Sequence, residues 1–155
     1  MRLDGRAGRA LELTIDGYQF PGMAAEPDGF DFDANWLIIR GRVSDGAREW
    51  TFRDPCLLTD EARELAAWLE AVATDWRDLD ATDFIEPNLE FRRVSAPGDA
   101  PVIRVTLRLE ARPPWTGDVS EDDWDKHFIE LELSREALAA AASDLRDELK
   151  RYPKR

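Results

Sequence analysis

The sequence predicts an α+β fold: a mainly antiparallel sheet of about six strands with two helices packed on one face. Two patterns carry that expectation. Strand-length stretches alternate apolar with polar residues; in Val102 to Ala111, Ile103, Val105, Leu107 and Leu109 share one face and Arg104, Thr106, Arg108 and Glu110 the other. Two longer stretches instead repeat apolar residues at helical spacing. Alternation implies one dry and one wet sheet face, which excludes a doubly wound parallel sheet.

The centre of the chain is Asn35 to Trp76, two paired strands feeding a helix. Trp36 to Val43 is rich in β-branched and aromatic residues, Ser44-Asp45-Gly46 supplies turn chemistry, and Arg48 to Arg53 alternates again. Pro55 is expected to end the second strand, because proline cannot donate to a ladder. Thr59-Asp60-Glu61 then opens a helix whose stripe is Ala62, Leu65, Ala66, Leu69, Val72, Ala73 and Trp76.

Around this unit lie more strands. Leu11, Leu13 and Ile15 alternate in a first strand, which Asp16-Gly17 would end, leaving Tyr18 and Phe20 at an edge. Pro21 to Ala34 is rich in Gly, Pro and Asp and predicts a long surface loop, with Phe30 and Phe32 as anchors. Asn88 to Val94 places Leu89 and Phe91 inward, and Phe128 to Leu133 makes a last strand. Between them, Ser120 and Asp123 have the spacing of a capping box, predicting a short helical turn. Ser134 caps a final helix with stripe Leu138, Ala141, Ala142, Leu145, Leu149 and Tyr152, closed by Pro153.

At 155 residues the chain is expected to be a single domain, 1–155, large enough for a core without metal or disulfide. Its 33 acidic against 21 basic residues give a formal net charge of -12. Such a field repels nucleic acid and anionic membranes and attracts a cationic partner, or simply keeps the chain soluble. Cys56 is the only cysteine, so no intramolecular disulfide can form. With no apolar leader and no apolar run of membrane-spanning length, the expected location is the cytoplasm.

Two acidic loops stand out as partner-binding candidates. Asp75, Asp78, Asp80, Asp83 and Glu86 crowd one connector; Asp118, Glu121, Asp122, Asp123 and Asp125, with Trp124, crowd the other. Solvated surface, calcium binding and mimicry of phosphate charge compete as explanations. A calcium loop needs a glycine at its sixth place and a glutamate at its twelfth. Counted from Asp31 these are Trp36 and Arg42, and counted from Asp78 they are Asp83 and Leu89, so no metal is expected.

The wet sheet face should show Glu12, Thr14, Arg40, Arg42, Thr51, Arg53, Glu90, Arg92, Arg104, Arg108, Glu110, Glu130 and Glu132. That is either a solubilising ladder of cross-strand charge pairs or a polar docking surface. Of the six tryptophans, Trp36, Trp50 and Trp68 fit the core or its edge, whereas Trp115 and Trp124 flank an acidic loop and fit either core or interface. Cys56 between Pro55 and Leu57 fits a buried structural thiol better than a nucleophile paired with His127. No phosphate loop, nucleophile elbow or zinc set is present, so neither an enzyme nor a cofactor is expected.

Several stretches together resemble a family. Gly17-Tyr-Gln-Phe-Pro21, Ala34-Asn-Trp-Leu-Ile-Ile-Arg-Gly41, Trp50-Thr-Phe-Arg-Asp-Pro-Cys-Leu-Leu-Thr59, Ala67-Trp-Leu-Glu70, Glu86-Pro-Asn-Leu-Glu-Phe91 and Asp122-Asp-Trp-Asp125 are similar to the bacterial immunity proteins of the WapI type. The resemblance spans nearly the whole chain and rests on strand, turn and helix segments. It implies a cytoplasmic antitoxin of a contact-dependent, polymorphic toxin system, binding a toxin domain that in the founding type is an RNA-cleaving nuclease. It assigns no interface residues. The other reading left open is a non-catalytic structural or regulatory domain with a different partner.

Overall fold

A computed structural model describes residues 1–23, 31–75, 81–96, 99–117 and 121–155, for Glu121, Asp122 and Trp124 the backbone only. The expected α+β class and antiparallel pairing are present. Among the described residues, however, the strands form two four-stranded sheets rather than one of about six. The first contains β1 (Arg2–Asp4), β2 (Arg9–Tyr18), β3 (Trp36–Asp45) and β4 (Glu49–Leu58) in that order. The second contains β5 (Ala81–Asp83), β6 (Leu89–Arg93), β7 (Val102–Leu107) and β8 (Phe128–Glu132), also in chain order. A short helix α1 (Phe32–Asn35) precedes β3, and α2 (Thr59–Ala73) and α3 (Arg135–Leu149) are the long helices.

Both long helices bury the faces their spacing predicts. Ala62, Leu65, Ala66, Leu69, Val72 and Ala73 of α2 meet Leu138, Ala141, Ala142, Leu145 and Leu149 of α3 in one apolar cluster with the inner faces of both sheets. Ser134 caps α3, its hydroxyl accepting from the Ala137 N–H at 3.1 Å. At the start of α2 the Glu61 carboxylate reaches back to the Leu58 N–H at 2.8 Å and also takes the Ile85 N–H at 2.7 Å. One side chain thus satisfies the N-cap donor of the helix and ties the helix to the loop between β5 and β6. The helix ends at Ala73, so Trp76 of the predicted stripe falls outside the described residues.

The first sheet is bent by two bulges. Asp16 is the extra residue between the Ile15–Ile39 and Gly17–Ile38 pairs, so β2 continues past the expected stop to Tyr18. Cys56 is the extra residue between Leu37–Leu57 and Ile38–Pro55. Pro55 therefore does not end β4: this is an edge strand, where a bulge absorbs a residue that lacks an N–H. The first bulge is fastened by the end of α3. Buried Glu148 accepts from the Ile15 N–H at 2.9 Å, and the Tyr152 hydroxyl donates to the Ile15 carbonyl at 3.1 Å.

Glycine decides two positions. A Cβ on Gly41 would lie 2.0 Å from the Phe52 ring, which packs over the bare backbone of its cross-strand neighbour. Gly46, at φ +95°, closes the β3–β4 turn with its Cα hydrogens against the Ala7 carbonyl. In that turn the Asp45 carboxylate takes the Ala47 and Arg48 N–H groups, both at 2.8 Å, which hold it below the usual carboxylate range.

The second sheet departs from expectation at its ends. Ile103, Val105 and Leu107 are buried as predicted, but β7 stops at Leu107 and the chain enters a 3-10 turn at Leu109–Ala111. Leu109, with φ +47°, therefore leaves the inner face it was assigned to. A 3-10 helix covers Glu121–Lys126, where a helical turn is expected, while Ser120, its expected cap, lies outside the described residues. Residues 24–30 and Phe30 lie outside the described residues, while Phe32, expected to anchor that loop, is half exposed in α1.

Candidate functional site

The acidic candidates differ in how much of their charge is free. Asp75 stands at the C-terminal end of α2 with φ +63° and points at cations of the fold. Its carboxylate takes the Arg93 guanidinium at 2.7 Å and lies 3.6 Å from that of Arg135. Asp83 is exposed on the edge strand β5, and Glu86 is half-buried in the loop before β6. In the second loop Asp123 pairs with Lys126, and Asp125 pairs with Arg108. Asp78, Asp80 and Asp118, and the side chains of Glu121, Asp122 and Trp124, lie outside the described residues.

The outer sheet faces carry balanced charge ladders. On the first sheet Arg2 meets Glu12 and Asp4, Arg42 meets Glu49, and the bulged Asp16 bridges Arg40 at 3.2 Å and Arg53 at 2.9 Å. On the second, Glu90 joins Arg92 to Arg108, and Arg104 pairs with Glu130 while lying over the Phe128 ring. The exposed pairs among them add little to stability because water screens them, and the charges cancel locally. The solubilising ladder describes these faces.

A groove of about 480 Å³ has a different character. Its apolar walls are Phe20 after β2, Trp36 at the start of β3, Pro55 in the β4 bulge, and Leu109. Its acids are Asp33 from α1, Asp54 beside the bulge, Glu86, and Glu110 of the 3-10 turn after β7. None of these four carboxylates forms a salt bridge among the described residues. The groove is built by both sheets, since the β4 bulge supplies one side and the loops flanking β6 and β7 the other.

One buried side chain holds two of these acids. Asn88, 1% exposed, donates its amide to Asp54 Oδ2 at 3.4 Å and to Glu110 Oε2 at 3.2 Å. Its Oδ1 is buried without a partner among the described residues. Burial first, then the charges of Glu110 and Glu86, hold the Asp54 carboxyl above its usual range. The arrangement can attract a cation and offer it several lone pairs beside aromatic faces. Of these acids the sequence points to Glu86 through its acidic loop and to Glu110 only as part of a wet sheet face, whereas Glu110 lies in the 3-10 turn beyond β7. Asp33, Asp54 and Glu110 are far apart in sequence, and only the two-sheet packing brings them together.

The remaining candidates are structural. Cys56 is 1% exposed, and burial pushes its thiol well above the ordinary range, as expected of a packed thiol. Trp50 and Trp68 are core residues, and Trp50 donates its indole N–H to the Ala111 carbonyl at 2.9 Å. Trp115 is 41% exposed, set edge-on against Trp50 with the Arg48 guanidinium over its ring. Among the described residues no group of three or more Asp, Glu, His or Cys could hold a metal ion. Nor is any helix there long and apolar enough to cross a membrane.

No curated protein and no solved structure matches the chain. The model of one family, described as the Immunity protein WapI-like family, matches residues 2–153. That match takes in both sheets, both long helices and every described residue of the groove. The chain belongs to the WapI-like immunity protein family.

Proposed function

We propose that the chain is an antitoxin that binds a cognate nuclease toxin domain in the cytoplasm and blocks its active site with an acidic surface. The observation that carries this reading is family membership over nearly the entire chain. The charge of -12 supports it, because a nuclease must grip phosphates with basic groups and an acidic protein competes for them. The mode is occupancy rather than catalysis, a reading supported by Cys56, whose thiol is buried and pushed well above the ordinary range.

Two acidic regions are available for the contact. One is the pair of acidic loops, 78–86 and 118–125, with Asp75 set aside because Arg93 holds it; the other is the groove between the sheets. Charge attraction of this kind gives fast association that weakens with salt.

Co-expression with the toxin domain encoded immediately upstream tests the reading, scored by growth rescue and by co-purification at low and high salt. Rescue with a salt-sensitive complex is expected. Absence of both would leave a non-catalytic structural or regulatory domain for a different partner. Reversing the charges at Asp78, Asp80 and Asp83 should weaken the complex if the connector is part of the contact, with folding stability nearly unchanged.

A further inference from the structure

We propose that the groove between the β4 bulge and the turn after β7 seats an arginine side chain of the toxin domain, held by Asp54, Glu86 and Glu110. The inference rests on the antitoxin reading and assigns a specific contact to it. Its first support is charge complementarity. The acids of the outer sheet faces mostly have cations of their own, whereas the four carboxylates of the groove have none among the described residues.

The second support is the repulsion stored in the groove. Glu110 and Glu86 each disfavour the ionised form of Asp54, and an incoming cation would relieve that repulsion as it binds. The third is the form of the walls. Phe20 is 41% exposed and Trp36 half-buried, so the groove offers aromatic surface beside carboxylates. A planar guanidinium suits both, donating to two carboxylates while its face lies on a ring; a lysine ammonium makes less of that geometry. Asn88 anchors Asp54 and Glu110 from beneath, so the acceptors are positioned before the partner arrives.

The test compares two triple variants with the same change of net charge. One is Asp54→Asn, Glu86→Gln, Glu110→Gln; the other is Glu64→Gln, Asp99→Asn, Asp144→Asn, three exposed acids elsewhere. Both are titrated against the purified toxin domain encoded upstream, with wild type alongside. The groove variant should raise Kd by about a hundredfold or more, and the control by no more than about threefold. The groove variant should melt no lower than wild type, because it removes repulsion. If it does melt lower, Glu86→Gln alone replaces it, since no hydrogen bond described in the fold uses that side chain; it should raise Kd by about tenfold.

Equal losses in the two triple variants would show that only overall charge matters and would overturn the groove assignment while leaving the antitoxin reading intact. An unchanged Kd in Glu86→Gln, where that variant is used, would do the same. Wild type that neither binds nor rescues would overturn both.

Discussion

The Arg93 guanidinium donates to the Asp75 carboxylate at 2.7 Å, and this pair joins the end of α2 to the last residue of β6. Arg93 follows Leu89 and Phe91 on the inward-facing positions of its strand, and its side chain is only 5% exposed. It also donates to Ser95 Oγ and the Ala96 carbonyl, but Asp75 supplies its negative charge at closest range. An acid that sequence alone places in an interface loop is thus engaged in holding the fold.

Asp75→Ala should therefore destabilise by about 2 kcal/mol, because it leaves a largely buried guanidinium without its main counter-charge. Asp75→Asn keeps a residue type that tolerates the left-handed backbone at φ +63° and should cost less. Urea denaturation of both variants measures the difference. Toxin affinity measured well below the melting temperature should hardly move in either.

Asp54→Asn should act in the opposite direction. The folded-state pKa of Asp54 is raised, so its ionised form weakens the fold at neutral pH. That penalty disappears as pH falls through the raised pKa and the group becomes protonated. The variant should melt above wild type at neutral pH and lose this advantage at about pH 3, below the ordinary carboxylate range. Thermal melts across pH read this directly; an advantage that persisted in acid would refute the electrostatic origin.

Glu148 is a sharper stability site than its position in a polar helix end suggests. It is 9% exposed and accepts the Ile15 N–H at the first bulge. Removing it by Glu148→Ala should cost about 2 kcal/mol, since a buried donor loses a charged acceptor. Hydrogen exchange at the Ile15 amide should accelerate more than exchange in the centre of β7.

Gly41→Ala tests close packing in the first sheet. The new methyl would occupy the place of the Phe52 ring, and a cost of about 1–3 kcal/mol is expected from forcing that ring out. A Gly41→Ala, Phe52→Leu double variant should recover part of the loss, which a chemical-denaturation cycle would show.

Most faces were legible in the sequence, and most pairings were not. Period-two alternation identified the inner residues Leu11, Leu13, Leu89, Phe91, Ile103, Val105 and Leu107, all buried. It carries no information on which strand neighbours which, so two meanders were expected as one sheet. Three-residue strands such as β1 and β5 are too short to show a period. Pro55 and Gly17 carry stop signals that bulges overrode. The acidic loops were visible as runs of Asp. The groove was not, because Asp33, Asp54, Glu86 and Glu110 meet only through tertiary packing, and their lack of cations depends on where each arginine points.

The order of strands within each sheet has a kinetic consequence. Each strand pairs with its neighbour in sequence, so every ladder closes a short or moderate loop and no strand must wait for a distant partner. The first sheet can assemble once residue 58 is available, and the second is complete at residue 132. What comes last is α3, which brings Glu148 and Tyr152 to the β2 bulge and seals the first sheet from across the sequence. Refolding should therefore show early sheet signal and a later step that Glu148→Ala slows little but whose reversal it accelerates.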